Sequence, residues 1–467
     1  MRGGAGAARG PVEELSVADV VGESAPQRRL TLLDSTCLIT GIIVGAGVYQ
    51  VAPDVASGAT AWWGVLGLWV VGGLVSLCGA LGYAELGAAY PRQGGDYVYL
   101  SRAYGGWAGF LFGWLQLAVV RPGDIVVMAL AFATYARAIY DPLAGSAYPY
   151  TQQAYAAGAV AALTAINILG VQQGKWTQNA LTAIKALGLL GIVALAVAAP
   201  AAATTAPPIE PMPLSVALIL VLFSYGGWNE MAYVAAELKH PERNILRGMV
   251  LGIAAVTLLY VLLNGAFLFS LGHGGMAASE AVAVDAIGGA LPAAGERFIS
   301  ALVCLSALGA VNGLVFTGAR ISYAVGRDHP LFARLGAWTP RTGTPAPALV
   351  LQAALALVLI VLLRDFVETL LYTSPAVYTF YLATTLAVIV LRRREPHAAR
   401  PYRVTGYPAT TLLFAAVCGY LIYSGVSFAM YVKGKPWIVL VPFAIMAAGL
   451  PLYWLSNRLR REPAPPV

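Results

Sequence analysis

The sequence has very little charge and very few cysteines for its length. Of its 467 residues, 11% are charged and 59% are hydrophobic, whereas about a quarter of a soluble domain is charged. So little polar sequence cannot cover so large an apolar core, which excludes a large soluble protein. The four cysteines, Cys37, Cys78, Cys304 and Cys418, all lie in apolar stretches. They predict neither a disulfide framework nor a metal-binding pattern.

Signatures of catalysis and of processing are missing as well. There is no G-x-S-x-G, H-E-x-x-H or phosphate-loop motif, and the four histidines are dispersed. We therefore predict no enzyme activity, no cofactor and no metal site. No apolar core precedes a small-residue cleavage site, so no cleavable signal is expected. Residues 1–29 and 458–467 are predicted to be disordered cytoplasmic tails.

Long apolar runs are what the sequence does contain. They recur from Thr31 to Leu455, and each of about 20 residues can cross a bilayer as a helix. We predict an all-α polytopic membrane protein, surrounded by lipid, with a transmembrane domain over residues 30–457. The predicted spans, about twelve, are 31–54, 62–88, 107–139, 151–170, 177–199, 212–236, 247–271, 294–324, 346–363, 366–391, 409–430 and 436–456.

The basic residues fall mainly on one side of these spans. If the N-terminus is inside, cytoplasmic segments carry 22 of the 29 Lys and Arg residues and the outer loops carry five. The positive-inside rule then predicts that both termini are cytoplasmic. The net charge of +7 is thus a topology signal, and no nucleic-acid partner is predicted. The preference for Arg over Lys and the short tails favour a bacterial inner membrane.

Two spans are interrupted by glycines near their middle. Span 1 contains ITGIIVGAGVYQVAP (39–53), and span 6 contains Ser224-Tyr225-Gly226-Gly227. Paired breaks of this kind indicate a transporter built from inverted repeats. The freed N–H groups suit a carboxylate and the freed carbonyls suit an ammonium, so the pair predicts a site for an α-amino acid. The alternative is that the glycines only allow close helix packing.

Five segments in the same order resemble a known superfamily. GIIVGAGVY (41–49), YAELGAAYPRQGGDYVYL (83–100) and ARISYAVGRDHPLFARL (319–335) resemble segments of the amino acid–polyamine–organocation superfamily. RPGDIVVMALAFATY (121–135) and FSYGGWN (223–229) resemble its L-type amino acid transporter (LAT) branch and the bacterial relatives of that branch. The resemblance implies a LeuT-like fold with inverted five-helix repeats at about 31–199 and 212–391, followed by two helices at about 409–456.

The resemblance also implies sodium-independent amino acid transport by alternating access, usually as exchange, and it assigns residues to the site. The backbone amides expected to hold the substrate carboxylate belong to Ile43, Val44, Gly45, Ala46 and Gly47. The carbonyls expected to accept the substrate ammonium belong to Phe223, Ser224 and Gly226. Phe223 is also the expected aromatic gate, and Trp228 and Asn229 are expected to line or brace the site. Ala46 departs from the Ser or Thr of many relatives.

Charged residues inside spans are costly and therefore point to function. Lys185 matches a family lysine said to occupy the second sodium site of sodium-coupled relatives; the alternative is a lysine that reaches the cytoplasmic surface. Asp124 stands where the family has a small polar residue, and mutual neutralisation with Arg121 is the favoured interpretation. For Glu230 three roles stay open: proton coupling, selection of cationic substrates, and pairing with a structural donor.

The function predicted first is sodium-independent exchange of neutral amino acids. The alternative is proton-coupled symport of amino acids, including cationic ones or polyamines. A sensor with a transporter fold is a further alternative, but it would need a signalling domain that the short tails do not provide. Animal relatives attach a heavy subunit through a cysteine in the outer loop after span 3. Residues 137–151 contain no cysteine, so no disulfide-linked heavy subunit is predicted.

Overall fold

The computed structural model of the chain describes residues 27–45, 47–142, 150–199, 212–362, 366–427, 430 and 436–459. Within these ranges the regular structure is helical, apart from two isolated β-bridges. Ala46 and most of the two predicted tails lie outside the described residues.

The described α-helices follow one another without intervening strands. They are α1 (Leu32–Ile43), α2 (Gly47–Ser57), α3 (Trp62–Ala89), α4 (Asp96–Tyr104), α5 (Gly106–Leu115), α6 (Arg121–Ile139), α7 (Thr151–Leu169), α8 (Val171–Ala198), α9 (Leu214–Ser224), α10 (Glu230–Tyr233), α11 (Pro241–Ala278), α12 (Val282–Ile287), α13 (Gly295–Asp328), α14 (Ala346–Leu362), α15 (Phe366–Arg394), α16 (Ala409–Ser427) and α17 (Pro436–Leu459). A π-helix, Gln116–Val120, joins α5 to α6, and 3-10 turns occupy Ala235–Glu237 and Pro330–Gly336.

Every predicted span corresponds to a helix or to a broken pair of helices. Among the described residues, eight helices are long and apolar enough to cross a membrane, and the pair α1 and α2, bent by 57°, makes a ninth. Helices α9 and α14 are shorter but also apolar. The sixth predicted span is broken between α9 and α10. The protein is therefore an all-α polytopic membrane protein with broken first and sixth spans, as predicted.

Burial shows which helices form the centre of the bundle. In α13, 78% of an apolar 18-residue stretch is buried inside the protein. In the Leu440–Leu459 segment of α17, only 17% of such a stretch is buried. Helix α13 packs against α6, α8 and α1, while α1 also packs against α8 and α11. The broken helix α1 thus lies in the interior, and α17 lies at the periphery with its apolar surface available to lipid.

The start of α1 is fixed by a capping box and by a backbone pairing. The Thr31 hydroxyl accepts from the Asp34 amide at 3.2 Å, and the Asp34 carboxylate accepts from the Thr31 amide at 2.8 Å, which satisfies two orphan donors of the helix start. The Leu30 amide donates to the Glu237 carbonyl, and the Lys239 amide donates to the Leu30 carbonyl. The beginning of α1 is therefore tied to the segment that follows α10.

Close packing of α3 against α9 depends on Gly72. A Cβ at this position would collide with Val221 and would lie 3.0 Å from the Tyr225 ring. Tyr225 cannot turn away freely, because its hydroxyl donates to the Trp69 carbonyl at 2.8 Å. We expect Gly72→Ala to lower the melting temperature of the purified protein, since overpacking costs about 1–3 kcal/mol.

Gly67 provides the matched control for this prediction because it lies on the same helix, and a Cβ added there would have nothing within 4 Å. Gly67→Ala should leave the melting temperature unchanged or raise it slightly, since alanine favours helix by up to about 1 kcal/mol. Equal melting temperatures for the two variants would contradict the packing role of Gly72.

Candidate substrate site

A cavity lies where the two helix breaks meet α6, α13 and α15. Its volume is about 190 Å³. It is lined by Ile42, Ile43, Gly45 and Gly47 of the first break, Phe223, Ser224, Gly226, Gly227 and Glu230 of the second, and Gln116, Val120, Arg121, Asp124, Val127, Met128, Ala310, Leu314, Val377, Tyr378 and Tyr381 of the surrounding helices. Both breaks predicted from glycine thus open onto the same space.

The first break leaves its N–H donors mainly at the start of α2. The Val44 amide donates to the Thr40 carbonyl at 3.0 Å and the Gly45 amide to the Ile43 carbonyl at 2.8 Å, so these two amides are already used. Helix α2 begins at Gly47, and the first amides of a helix have no partner within it. Of the residues predicted to hold the substrate carboxylate, Ile43, Gly45 and Gly47 line the cavity, whereas Val44 is fully buried and does not.

Lys185 takes up the carbonyl groups that the first break sets free. Its ammonium donates to the carbonyls of Gly41 at 2.7 Å, Val44 at 2.6 Å and Ser306 at 3.0 Å. The Ser306 hydroxyl also donates to the Val44 carbonyl at 3.0 Å. Lys185 is 1% exposed, so it does not reach the membrane surface, and it lies at the break where the sequence placed it.

The second break is a tight turn between α9 and α10. The Gly226 amide donates to the Phe223 carbonyl at 2.9 Å, and the Glu230 amide donates to the Gly227 carbonyl at 3.2 Å. Gly227 has φ 108°, a left-handed conformation that strains any other residue. Phe223, Ser224 and Gly226 line the cavity, and Phe223 is 38% exposed.

Tyr260 of α11 joins the two breaks. Its hydroxyl lies 3.1 Å from the Ile43 carbonyl oxygen and 3.1 Å from the Ser224 carbonyl oxygen, so both carbonyls share one donor. The ring packs edge-on against Trp69 at 5.0 Å and against Tyr225 at 5.4 Å. The sequence analysis missed this residue because a lone tyrosine in an apolar span carries no distinguishing pattern.

Trp228 and Asn229 brace the cavity from behind and do not line it. Trp228 packs edge-on against Tyr83, with ring centroids 5.1 Å apart. Asn229 donates to the Tyr233 hydroxyl at 2.8 Å and accepts from the Tyr381 hydroxyl at 3.2 Å. Because Tyr381 lines the cavity, this chain of hydrogen bonds holds α15 against the second break.

Buried polar contacts lie near the end of the bundle where α1 begins. Asp96 of α4 accepts hydrogen bonds from Tyr83, from Tyr233 at 2.9 Å and from Thr384 at 2.5 Å. Glu237 and Arg320, each 1% exposed, form an ion pair at 2.8 Å. These contacts connect the second break to α4, α13 and α15.

A π-helix directs part of the third span into the cavity. It covers Gln116–Val120, directly before Arg121 and Pro122. Such a widened turn accommodates the missing amide of a proline and is frequent at functional sites. Gln116, Arg121 and Asp124 all line the cavity. The sequence showed the charged Arg-Pro segment in mid-span but gave no sign of the π-helix.

The structure pairs Arg121 with Glu230. The Arg121 Nη2 atom donates to Glu230 Oε1 at 2.8 Å, and the Thr317 hydroxyl donates to Glu230 Oε2 at 2.6 Å. The sequence analysis had favoured mutual neutralisation of Arg121 and Asp124. Instead, within the described residues, Asp124 has no hydrogen bond and no ion pair within 4.0 Å, although the Arg121 charge lies close enough to act on it.

The site offers binding groups of several kinds. It combines amides at a helix start, carbonyls at a helix end, aromatic rings and one unpaired carboxylate. Across the ranges that the structure describes, no three or more His, Cys, Asp or Glu side chains gather as metal ligands do. This arrangement suits reversible binding of a zwitterion.

Comparison with known proteins agrees with this geometry. The chain matches the amino acid permease family over residues 30–453. It is 29% identical to the b(0,+)-type amino acid transporter 1 of Mus musculus over 438 residues, which cover 92% of this chain and 88% of the relative. It is 30% identical to the large neutral amino acids transporter small subunit 2 of Homo sapiens over 463 residues, which cover 95% of this chain and 83% of the relative. The resemblance found in the sequence is thus confirmed, and the chain belongs to the amino acid permease family of the amino acid–polyamine–organocation superfamily.

Proposed function

We propose that this protein moves amino acids across a membrane by sodium-independent exchange, with alternating access to the cavity between the two breaks. The family match and the transporters to which the chain is similar support an amino acid as substrate. The observation that carries the proposal is that both helix breaks line this cavity. The amides at the start of α2 would take the substrate carboxylate. The carbonyls of Phe223, Ser224 and Gly226 would take its ammonium, those of Phe223 and Ser224 through a second lone pair, because they already accept from the Gly226 amide and the Tyr260 hydroxyl.

Sodium independence rests on the position of Lys185. Its ammonium donates to three carbonyls at and around the first break. A sodium ion would need such oxygens as ligands, because hard cations bind carbonyl and carboxylate oxygen. A fixed ammonium in their midst supplies the positive charge and leaves no need for the metal.

Exchange of neutral amino acids is our first proposal for the transported species. Apolar side chains form much of the cavity wall, namely Val120, Val127, Met128, Leu314 and Val377. Both oxygens of Glu230 are engaged, one by Arg121 and the other by Thr317, so we assign Glu230 to structural pairing. Proton-coupled symport is the competing function, and it would need a carboxylate that binds and releases a proton during transport.

The proposal includes an orientation and a subunit composition. The excess of Lys and Arg in one set of loops supports cytoplasmic termini in a plasma membrane. The absence of cysteine from residues 137–151 supports a transporter that works without a disulfide-linked heavy subunit.

Uptake of labelled leucine into proteoliposomes in sodium-free buffer tests the exchange. We expect uptake into vesicles preloaded with unlabelled leucine, little uptake into empty vesicles, and no stimulation by added sodium. Empty vesicles with an inward proton gradient form the comparison. Proton-driven uptake into empty vesicles would establish symport in place of exchange, and sodium-dependent uptake would contradict the role given to Lys185.

Replacement of Lys185 tests how the first break is held. Lys185→Ala removes the donor of the Gly41 carbonyl and one of the two donors of the Val44 carbonyl, which keeps the Ser306 hydroxyl. An unsatisfied buried carbonyl costs about 1–3 kcal/mol. We expect leucine exchange to fall by about tenfold or more. Lys239→Ala, at an exposed lysine, should exchange leucine as the parent protein does. A fully active Lys185→Ala protein would refute the proposed role, whereas recovery on adding sodium would show that a metal can replace the ammonium.

Replacement of Glu230 separates structural pairing from proton coupling. Glu230→Gln removes the carboxylate that forms the ion pair with Arg121, a side chain that is 3% exposed, and breaking a buried pair in this way costs about 3–5 kcal/mol. We expect a clear drop in melting temperature, and the double change Arg121→Met with Glu230→Met should recover much of it. A Glu230→Gln protein with the parent melting temperature but an altered pH response would instead assign Glu230 to proton coupling.

A further inference from the structure

The charged side chains that line the cavity do not balance. They are Arg121, Asp124 and Glu230. Arg121 is paired with Glu230 at 2.8 Å, which leaves Asp124 as an extra negative charge. Lys185 does not line the cavity, and its ammonium is held by three carbonyls. A partly buried carboxylate within the membrane-spanning part of the protein is costly unless a positive charge joins it.

The substrate backbone does not supply that positive charge. The helix ends at the two breaks complement both its ammonium and its carboxylate. Asp124 lies on a different helix, α6, and lines the same cavity. With the substrate backbone at the two breaks, we place the substrate side chain against Asp124. The counter-charge for Asp124 is therefore expected on the substrate side chain.

A second acceptor in the cavity also lacks a donor. The Gln116 side chain is 5% exposed and lines the cavity, and its Oε1 atom has no hydrogen-bond partner in the described structure. Asp124 and Gln116 together call for a ligand with several N–H groups, such as a guanidinium or an ammonium. The Nε and Nη1 atoms of Arg121 are also without acceptors, but its charge is already offset by Glu230.

The walls suit a side chain that is apolar along its length and cationic at its end. Val120, Val127 and Met128 supply aliphatic contacts, against which the methylene stem of a basic amino acid packs well. The rings of Tyr378 and Tyr381 also line the cavity, and aromatic faces attract cations.

We propose that Asp124 determines side-chain specificity in this cavity by binding the cationic end of basic amino acids such as arginine, lysine and ornithine. The inference rests on the proposed exchange function and extends its substrates beyond neutral amino acids. Anionic amino acids are excluded by the same charge. A neutral substrate such as leucine binds more weakly because it leaves Asp124 unpaired.

The test compares the KM for labelled arginine with the KM for labelled leucine in sodium-free proteoliposomes preloaded with leucine. The parent protein should take up both and favour arginine. Asp124→Asn, which keeps the size but removes the charge, should raise the KM for arginine about 30-fold or more. It should leave the KM for leucine unchanged or lower it. The ratio of the two KM values within one variant is insensitive to how much protein is correctly folded.

Two further variants separate charge from shape and folding. Asp124→Glu retains the carboxylate and should retain the preference for arginine. Glu280→Gln, at an exposed position, makes a matched carboxylate-to-amide change outside the cavity and should leave both KM values unchanged. As an independent readout, arginine uptake against internal leucine moves one positive charge inward, so an inside-negative potential set with potassium and valinomycin should accelerate it.

Several outcomes would overturn the proposal. An equal rise of the KM for arginine and the KM for leucine in Asp124→Asn would place Asp124 at the substrate ammonium or in a structural role. Leucine exchange without arginine or lysine exchange in the parent protein would refute the inference and leave the proposed exchange intact. Proton-driven leucine uptake that disappears in Asp124→Asn would show that Asp124 binds the coupled proton and not a cationic substrate side chain. The absence of any amino acid exchange would overturn both proposals.

Discussion

The structure depends on one constraint: backbone groups released by a broken helix inside a bilayer need partners, because lipid offers none. Here the protein supplies many of them from other helices. Lys185 and Ser306 satisfy the carbonyls at the first break. Tyr260 serves the last carbonyl of α1 and the last carbonyl of α9 with one hydroxyl. The two breaks are thereby held side by side, and the cavity forms between them.

Some backbone amides at the first break already donate to partners within the protein, so only the others can bind a ligand. The amides of Val44 and Gly45 are consumed within the first turn, so donors toward a carboxylate are concentrated at the start of α2. The positive end of that helix dipole lies at the same place. The Lys185 ammonium thus occupies the carbonyl side of the first break, whereas the amides at the start of α2 form the proposed site for the substrate carboxylate.

Much of this architecture could be predicted from the sequence, and the reason is physical. Lipid requires long apolar runs, and a break in such a run appears as glycine, so the spans and both breaks were evident. The side-chain pairing was not. From the sequence we paired Arg121 with Asp124, its neighbour one turn away, because helical periodicity predicts contacts only between residues three or four positions apart. The true partner, Glu230, is 109 residues away in the sequence. The π-helix before Arg121 also changes the direction in which the following side chains point.

That pairing has consequences for selectivity. Two acids and one base line the cavity, and the base binds only one of them. Had Arg121 paired with Asp124, the free carboxylate would belong to the second break, beside the groups proposed to hold the substrate backbone. Because Arg121 binds Glu230, which also accepts from Thr317, the free carboxylate is that of Asp124 on α6, in a cavity wall that includes Val120, Val127 and Met128. The same composition thus places its one uncompensated charge where a substrate side chain, and not the substrate backbone, meets it.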